Sequence, residues 1–224
     1  MSIYFGNQKV SPLIVVPDNK LALLIGKKPF ELKADELKNI DKISTYSFAY
    51  SLLTKIDIPT NIVTIEGSSF ISCTKLEEII IPSSIVFFGD YIFQDCRNLK
   101  KVTFLAQIKN LGRSTFNSCA NLNLINIPNS VVRIAESTFS GCSSLRELTI
   151  PSSVTNIEYR ALGIGSSTNK ATITFLPTTP PTIQADTFTA EKIEKIIVPK
   201  GTAETYKAAT NWSKFADYIV EADE

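Results

Sequence analysis

Cysteine recurs at Cys73, Cys96, Cys119 and Cys142, every 23 positions, and each closes a stretch that opens on a phenylalanine, Phe70, Phe93, Phe116 or Phe139. A fixed period of this length marks stacked copies of one supersecondary unit. A single unit cannot bury its own apolar face, so the copies must pile up and share a core. The same regularity argues against disulfides. Equivalent cysteines in adjacent coils have nearly parallel Cα–Cβ bonds about 5 Å apart, whereas a disulfide needs Cβ atoms about 3.8 Å apart. The four are read as free, buried thiols that act as small apolar side chains.

Aligned on the cysteine, the units give rows of one chemical type. Leu76, Leu99, Leu122 and Leu145 come three residues later, with Leu53 in an earlier, shortened unit. Ile79/Ile81, Val102/Phe104, Ile125/Ile127 and Leu148/Ile150 then alternate with polar or variable residues, the period of a strand with one buried face. Pro59, Pro82, Pro128 and Pro151 follow, where a missing N–H ends the ladder; Leu105 takes that place in the third unit. A second apolar pair (Ile62/Ile65, Ile85/Phe88, Ile108/Leu111, Val131/Ile134, Val154/Ile157) leads to the aromatic row Phe48, Phe70, Phe93, Phe116 and Phe139. From aromatic to cysteine the chain is too short for a full helix, which predicts a helical turn or tight bend.

After Leu162 the pattern loosens. Gly163-Ile164-Gly165 occupies the bend, the strand returns two residues late at Ile173 and Phe175, and a compressed last unit runs through Ile183, Phe188, Ile193, Ile196 and Val198. The pattern predicts an N-terminal cap, residues 1–39, a repeat array over 40–199 (five regular units and two irregular), and a C-terminal cap, 200–224. The first cap holds a hairpin signal at Gly6-Asn7 and a short helix near Ala34 to Asn39. In the second, Thr202 is placed to cap a helix through Lys207, and Tyr206, Trp212 and Phe215 to cover the last coil.

The unit Cys142, Leu145, Leu148, Ile150-Pro151-Ser152-Ser153-Val154 and Ile157 resembles the leucine-rich repeat of BspA-like bacterial surface proteins. Val198-Pro199-Lys200-Gly201, Tyr206-Lys207-Ala208-Ala209 and Trp212 resemble the closing segment of that family, and the resemblance spans about residues 40–218. It implies an α/β-type repeat solenoid: a right-handed leucine-rich-repeat coil with a parallel β-sheet on the concave face and little helix. It also implies display at the cell surface or outside the cell, and recognition of a protein or glycan, possible adhesion to host or microbial surfaces included. The opening Met1-Ser2-Ile3-Tyr4-Phe5-Gly6 lacks the charged and apolar regions of a leader, so export is either absent or its signal has been removed. Ile3 to Pro12 resembles the N-termini of prophage-encoded proteins of gut bacteria, which gives the alternative of a scaffold component in a larger particle.

Chemistry is constrained mainly by what the composition lacks. There is no histidine, which removes the commonest general base and metal ligand. Cysteines along a line do not converge on zinc, Gly163-Ile164-Gly165 lacks the third glycine of a dinucleotide loop, and no phosphate-binding loop is present. No cofactor, no metal and no enzymatic activity are expected. Glu77-Glu78, adjacent in a strand, should point to opposite faces and is read as solvated charge. Asn211-Trp212-Ser213 matches a glycosylation acceptor by chance. With 23 basic and 22 acidic residues the net charge is +1, too little to attract nucleic acid or an anionic membrane from a distance. The apolar runs Leu13 to Val16, Leu21 to Ile25 and Ile85 to Phe88 fall far short of the roughly 20 residues of a membrane span.

Binding is expected on strand positions that alternate with the buried ones. One row is Lys55, Glu78, Lys101, Leu124, Glu147, Thr172 and Lys195; the next is Asp57, Ile80, Thr103, Asn126, Thr149, Thr174 and Ile197. Candidate ligand-binding residues are therefore Lys55, Asp57, Glu78, Ile80, Lys101, Thr103, Leu124, Asn126, Glu147 and Thr149. Ile80 and Leu124 stand out as aliphatic positions on a polar face. The alternative for the charged row is mutual stabilisation, since Lys opposite Glu contributes about 0.2 to 1 kcal/mol per pair.

Overall fold

Apolar rows one coil apart can be buried together only if successive coils stack in parallel. The computed structural model describes residues 29–223 and the strand backbones Ile3–Phe5 and Gln8–Val10. In it the rows form a solenoid of about 8 turns. One column holds the longer strands: Phe30–Leu32, Leu53–Ile56, Glu78–Ile81, Lys101–Phe104, Leu124–Ile125, Glu147–Ile150, Ala171–Phe175, Ile193–Val198 and Ile219–Glu221. A second column holds two-residue strands: Lys42–Ile43, Thr64–Ile65, Phe87–Phe88, Asn110–Leu111, Arg133–Ile134, Asn156–Ile157 and Thr182–Ile183. Neighbouring coils pair in parallel with equivalent residues opposite, as in Ile79↔Val102 and Arg133↔Asn156. Among the described residues regular helix is confined to Ala203–Ala208, with short 3-10 turns at Ala34–Leu37, Ala190–Lys192 and Ser213–Tyr218.

The interior is built from columns of like side chains. Leu53, Leu76, Leu99, Leu122 and Leu145 are fully buried. The phenylalanines stack from coil to coil: Phe48 on Phe70, Phe70 on Phe93, Phe93 on Phe116 and Phe116 on Phe139, with centroids 5.2, 5.3, 5.7 and 5.4 Å apart. Each such contact adds about 0.5 to 1.5 kcal/mol beyond burial. Ile125, expected in the core, is only partly buried, at the strand that has shrunk to two residues.

All four thiols are free and buried, and they are more than small apolar fillers. Each Sγ–H donates to the carbonyl oxygen of the phenylalanine one coil earlier: Cys73 to Phe48, Cys96 to Phe70, Cys119 to Phe93 and Cys142 to Phe116, at 3.0 to 3.1 Å. Cysteine is small enough for the column and still carries a donor for a carbonyl that lies where water cannot reach.

The segment from aromatic to cysteine is the predicted bend, with a repeated geometry. Residues two before and two after each phenylalanine lie in the left-handed region: Tyr46 and Tyr50, Ser68 and Ser72, Tyr91 and Asp95, Ser114 and Ser118, Ser137 and Gly141. This turns their N–H groups along the stack. Ser114, Phe116 and Ser118, for example, donate to the carbonyls of Glu136, Thr138 and Ser140 in the next coil. The bend thus makes a third ladder of backbone hydrogen bonds, which offsets the left-handed conformations.

After each long strand the chain turns at proline, and the carbonyls of Pro59, Pro82, Pro128 and Pro151 accept from the third residue on, for example Ile85 N to Pro82 at 3.1 Å. Where leucine replaces proline the N–H extends the ladder: Leu105 donates to Ile81 and Leu176 to Ile150. Past the second column the coils approach closely. A Cβ on Gly89 would lie 2.6 Å from the nitrogen of Gly67, and one on Gly112 would lie 2.6 Å from the carbonyl oxygen of Gly89.

At the start of the chain Ile3–Phe5 pairs antiparallel with Gln8–Val10, the hairpin predicted around Gly6-Asn7, whose turn lies outside the described residues. The apolar runs Leu13 to Val16 and Leu21 to Ile25 also lie outside them. Phe30–Leu32 already pairs with Leu53–Ile56. At the other end Trp212 packs edge-on against Phe175 and Tyr206, at 5.0 and 4.8 Å, while Phe188 meets Phe215 at 4.9 Å. Their polar atoms are used as well: Tyr206 Oη donates to the carbonyl of Pro177 and Trp212 Nε1 to that of Pro181. The helix Ala203–Ala208 forms as predicted but is capped differently. Thr202 Oγ1 donates backwards to the Pro199 carbonyl, and Glu221 Oε1 accepts from the N–H of Ala203. Glu221 belongs to the strand Ile219–Glu221, which pairs with Ile196–Val198 and was not predicted.

Candidate recognition surface

The buried residues of the long strands leave their neighbours pointing outwards, so the rows named from sequence lie on one face. The register is Glu31↔Lys55, then Glu78↔Lys101↔Leu124, then Glu147↔Thr172↔Lys195, with Ile80↔Thr103 and Thr149↔Thr174↔Ile197 beside them. Lys55, Asp57, Glu78, Ile80, Lys101, Leu124, Asn126, Glu147 and Thr149 are exposed, while Thr103 is half-buried. Ile80 and Leu124 retain 56% and 55% of their accessible surface, an unusual degree for aliphatic side chains in a paired strand.

The ladder is segmented. No strand pairing joins Leu53–Ile56 to Glu78–Ile81, or Leu124–Ile125 to Glu147–Ile150. On the paired side of Leu124–Ile125, toward Lys101–Phe104, Asn126 replaces part of the ladder. Pro128 has no N–H with which to reach the carbonyl of Phe104, as Leu105 reaches Ile81 one coil earlier. Asn126 turns its amide into the gap, Nδ2 donating to the Phe104 carbonyl at 3.0 Å and Oδ1 accepting from the Phe104 N–H at 2.9 Å. Its side chain therefore does the work of a strand while the residue keeps an exposed edge on this face.

Charge is arranged differently from the sequence expectation. Lys101 and Glu78 face each other in register without an ion pair, and Lys55 pairs with Asp57, just past the end of its own strand, at 3.7 Å. The close cross-coil pair is one residue earlier, Lys100 with Glu77 at 2.7 Å. The strand begins at Glu78, so Glu77 lies outside the alternation and both carboxylates face solvent. On the second column Arg133 Nε donates to Glu158 Oε1 at 2.6 Å and the N–H of Glu136 to Glu158 Oε2 at 3.0 Å. The Arg133 hydrogen bond, helped by that N–H, holds the Glu158 carboxyl below its ordinary range. Glu66 is lowered too, first by the N–H of Thr45 and then by Lys42. These groups brace neighbouring coils.

Outside the long-strand face, Val86 and Phe87 are exposed on the second column, and Tyr50 on the bend. Asn211 of the possible glycosylation acceptor is part-buried, its Nδ2 donating to the Ile183 carbonyl at 2.8 Å, beside the fully buried Trp212. Among the described residues no three His, Cys, Asp or Glu side chains converge as metal ligands, and no helix is long and apolar enough to cross a membrane.

The profile of the BspA type leucine rich repeat region matches residues 41–163 and 110–219, in 6 copies. No curated protein matches. Among solved structures, a leucine-rich repeat protein from Eubacterium ventriosum superposes with a TM-score of 0.58 at 22% identity, over 81% of this chain and 45% of its own. This chain thus spans less than half the length of that protein. The leucine rich repeat protein of T. pallidum gives a TM-score of 0.46 at 18% identity, over 73% of this chain and 79% of its own. A leucine rich cell surface protein from Faecalibacterium prausnitzii gives 0.36 at 15% identity, over 87% and 60%.

Proposed function

The chain belongs to the BspA-type leucine-rich repeat family, and from that membership we propose that it is a non-enzymatic recognition module of a bacterial surface protein. Its outward long-strand face takes a protein partner. The observation that carries this reading is the exposed pair Ile80 and Leu124, two coils apart on either side of Lys101–Phe104 and set among charged and small polar side chains. Such a surface gives apolar anchors a polar rim, the usual anatomy of a protein interface. Both side chains stand on strands paired to the central Lys101–Phe104, which limits the conformational freedom lost on binding. Lys101, Glu78, Glu147 and Lys55 supply orientation through charges of both signs.

The test is capture of partners from extracellular-matrix and bacterial-envelope extracts by the immobilised protein, followed by a direct binding measurement with the purified partner. Replacing Ile80 and Leu124 together by Asp should weaken that interaction at least tenfold with the urea midpoint unchanged. Undiminished binding by this variant removes the face from consideration and moves recognition to the caps or flanks, as a scaffold role requires.

A further inference from the structure

The interruption between Leu124–Ile125 and Glu147–Ile150 coincides with a notch of about 440 Å³ lined by Asn123, Ser143, Ser144, Arg146, Glu147 and Asn169. In the preceding coils the equivalent polar groups are consumed by the stack. Lys100 pairs with Glu77, Asn98 Nδ2 donates to the Thr74 carbonyl at 2.7 Å, and Asn121 Nδ2 donates to Asn98 Oδ1. At the notch Ser143 Oγ and the Ser144 N–H still donate to the Ala120 carbonyl, but the pairing of the Glu77–Lys100 row stops. The position of Lys100 is taken by Asn123 and then Arg146, which have no acid between them, and neither side chain makes a hydrogen bond or ion pair within the protein. Glu147 and Asn169 have no side-chain partner either.

The backbone is open at the same place. The N–H groups of Lys100 and Lys101 donate to the Glu77 carbonyl, and those of Asn123 and Leu124 to Lys100. The next rung, from Arg146 or Glu147 to the Asn123 carbonyl, is not made, although Thr172 resumes the ladder on Arg146. The Asn123 carbonyl, the amides of Asn123 and Asn169, the Arg146 guanidinium and the Glu147 carboxylate therefore converge on one hollow without satisfying each other, beside Ser143, whose hydroxyl donates to the Ala120 carbonyl.

We infer that this notch binds a single sugar residue of a glycan. A pyranose presents what the hollow lacks: adjacent hydroxyls, each donor and acceptor, that fit the two-atom ends of Arg, Asn and Glu side chains. The size is that of a small-molecule site, and the polar lining suits a polyol rather than an apolar ligand. This rests on the recognition reading above but turns on Asn123 and Arg146, which that reading does not use, so the two can fail separately.

The experiment is saturation-transfer NMR on the whole chain with the methyl glycosides of glucose, galactose, N-acetylglucosamine and glucuronate as probes. At least one should receive saturation from the protein, and Arg146→Ala with Asn123→Ala should reduce its affinity at least tenfold while the urea midpoint stays put. Ile80→Asp, on the same sheet but away from the notch, should leave the sugar signal intact. Preference for glucuronate would place the carboxylate on Arg146. Absence of transfer to all four probes, or transfer that survives the double substitution, overturns the assignment. Loss of the protein partner in the Ile80/Leu124 variant is read independently of either result.

Discussion

The thiol of Cys96 donates to the carbonyl oxygen of Phe70 in the preceding coil, 3.0 Å away, and both residues are fully buried. That carbonyl also accepts the N–H of Cys73, so Cys96 supplies its second bond and links two phenylalanine units. Cys96→Val should cost about 1 to 3 kcal/mol in urea unfolding, because it removes a buried donor and crowds the column. Cys96→Ser, which keeps a donor, should cost less. Equal stability of all three proteins would mean that the thiol contributes only its volume.

Burial pushes the thiols of Cys96, Cys119 and Cys142 up from their ordinary range. Below about pH 8.5 the folded and unfolded states both hold these protons and stability is fully present. Above it the unfolded chain releases protons that the folded chain retains. Stability should then fall by about 1.4 kcal/mol per pH unit for each thiol. Urea midpoints measured across this range should drop on the alkaline side, and less so when the three cysteines are replaced by alanine. A thiol reagent added to the native protein at neutral pH should label none of the four cysteines within the time that unfolded chain is fully labelled.

Asn126 holds both the N–H and the carbonyl of Phe104. Asn126→Ala should destabilise by about 1 to 3 kcal/mol, since two backbone groups lose their partner together. Asn126→Asp keeps the acceptor and loses the donor, and should fall between. An alanine variant as stable as the parent would return Asn126 to the free surface.

Ser69 is fully buried and its hydroxyl is the one buried side-chain polar atom without a partner among the described residues. Thr138, at the same place in a later coil, donates to the carbonyls of Ala135 and Gly112. Ser69→Ala should therefore leave stability unchanged or raise it by up to about 1 kcal/mol, while Thr138→Val should lower it by about 1 kcal/mol. Thermal midpoints of the two variants should move in opposite directions or differ clearly in size.

Gly89 and Gly201 separate contact from conformation. A Cβ on Gly89 meets only backbone, at 2.6 to 3.0 Å, so Gly89→Ala must push two coils apart and should cost about 3 kcal/mol or more. Gly201 has open space around it but a φ of +76°, so Gly201→Ala should cost only about 1 kcal/mol. The reverse order in urea unfolding would place the close stacking elsewhere.

The period of 23 was enough to specify parallel coils, the buried rows and the outward rows, because residues one period apart meet the same surroundings and must solve the same packing problem. Leu76 to Leu145, the phenylalanine stack and the exposed Ile80 follow from that alone. What depended on three dimensions is where backbone groups find partners when the pattern lapses. The left-handed bend residues, the thiol bonds to phenylalanine carbonyls, and Asn126 standing in for the N–H that Pro128 lacks all join atoms more than 20 residues apart or turn on a single dihedral. Hydrophobic periodicity reports which face is buried, but hydrogen bonding depends on direction within fractions of an ångström. For that reason the notch around Arg146, which exists because one rung fails to close, was visible only once the coils were stacked.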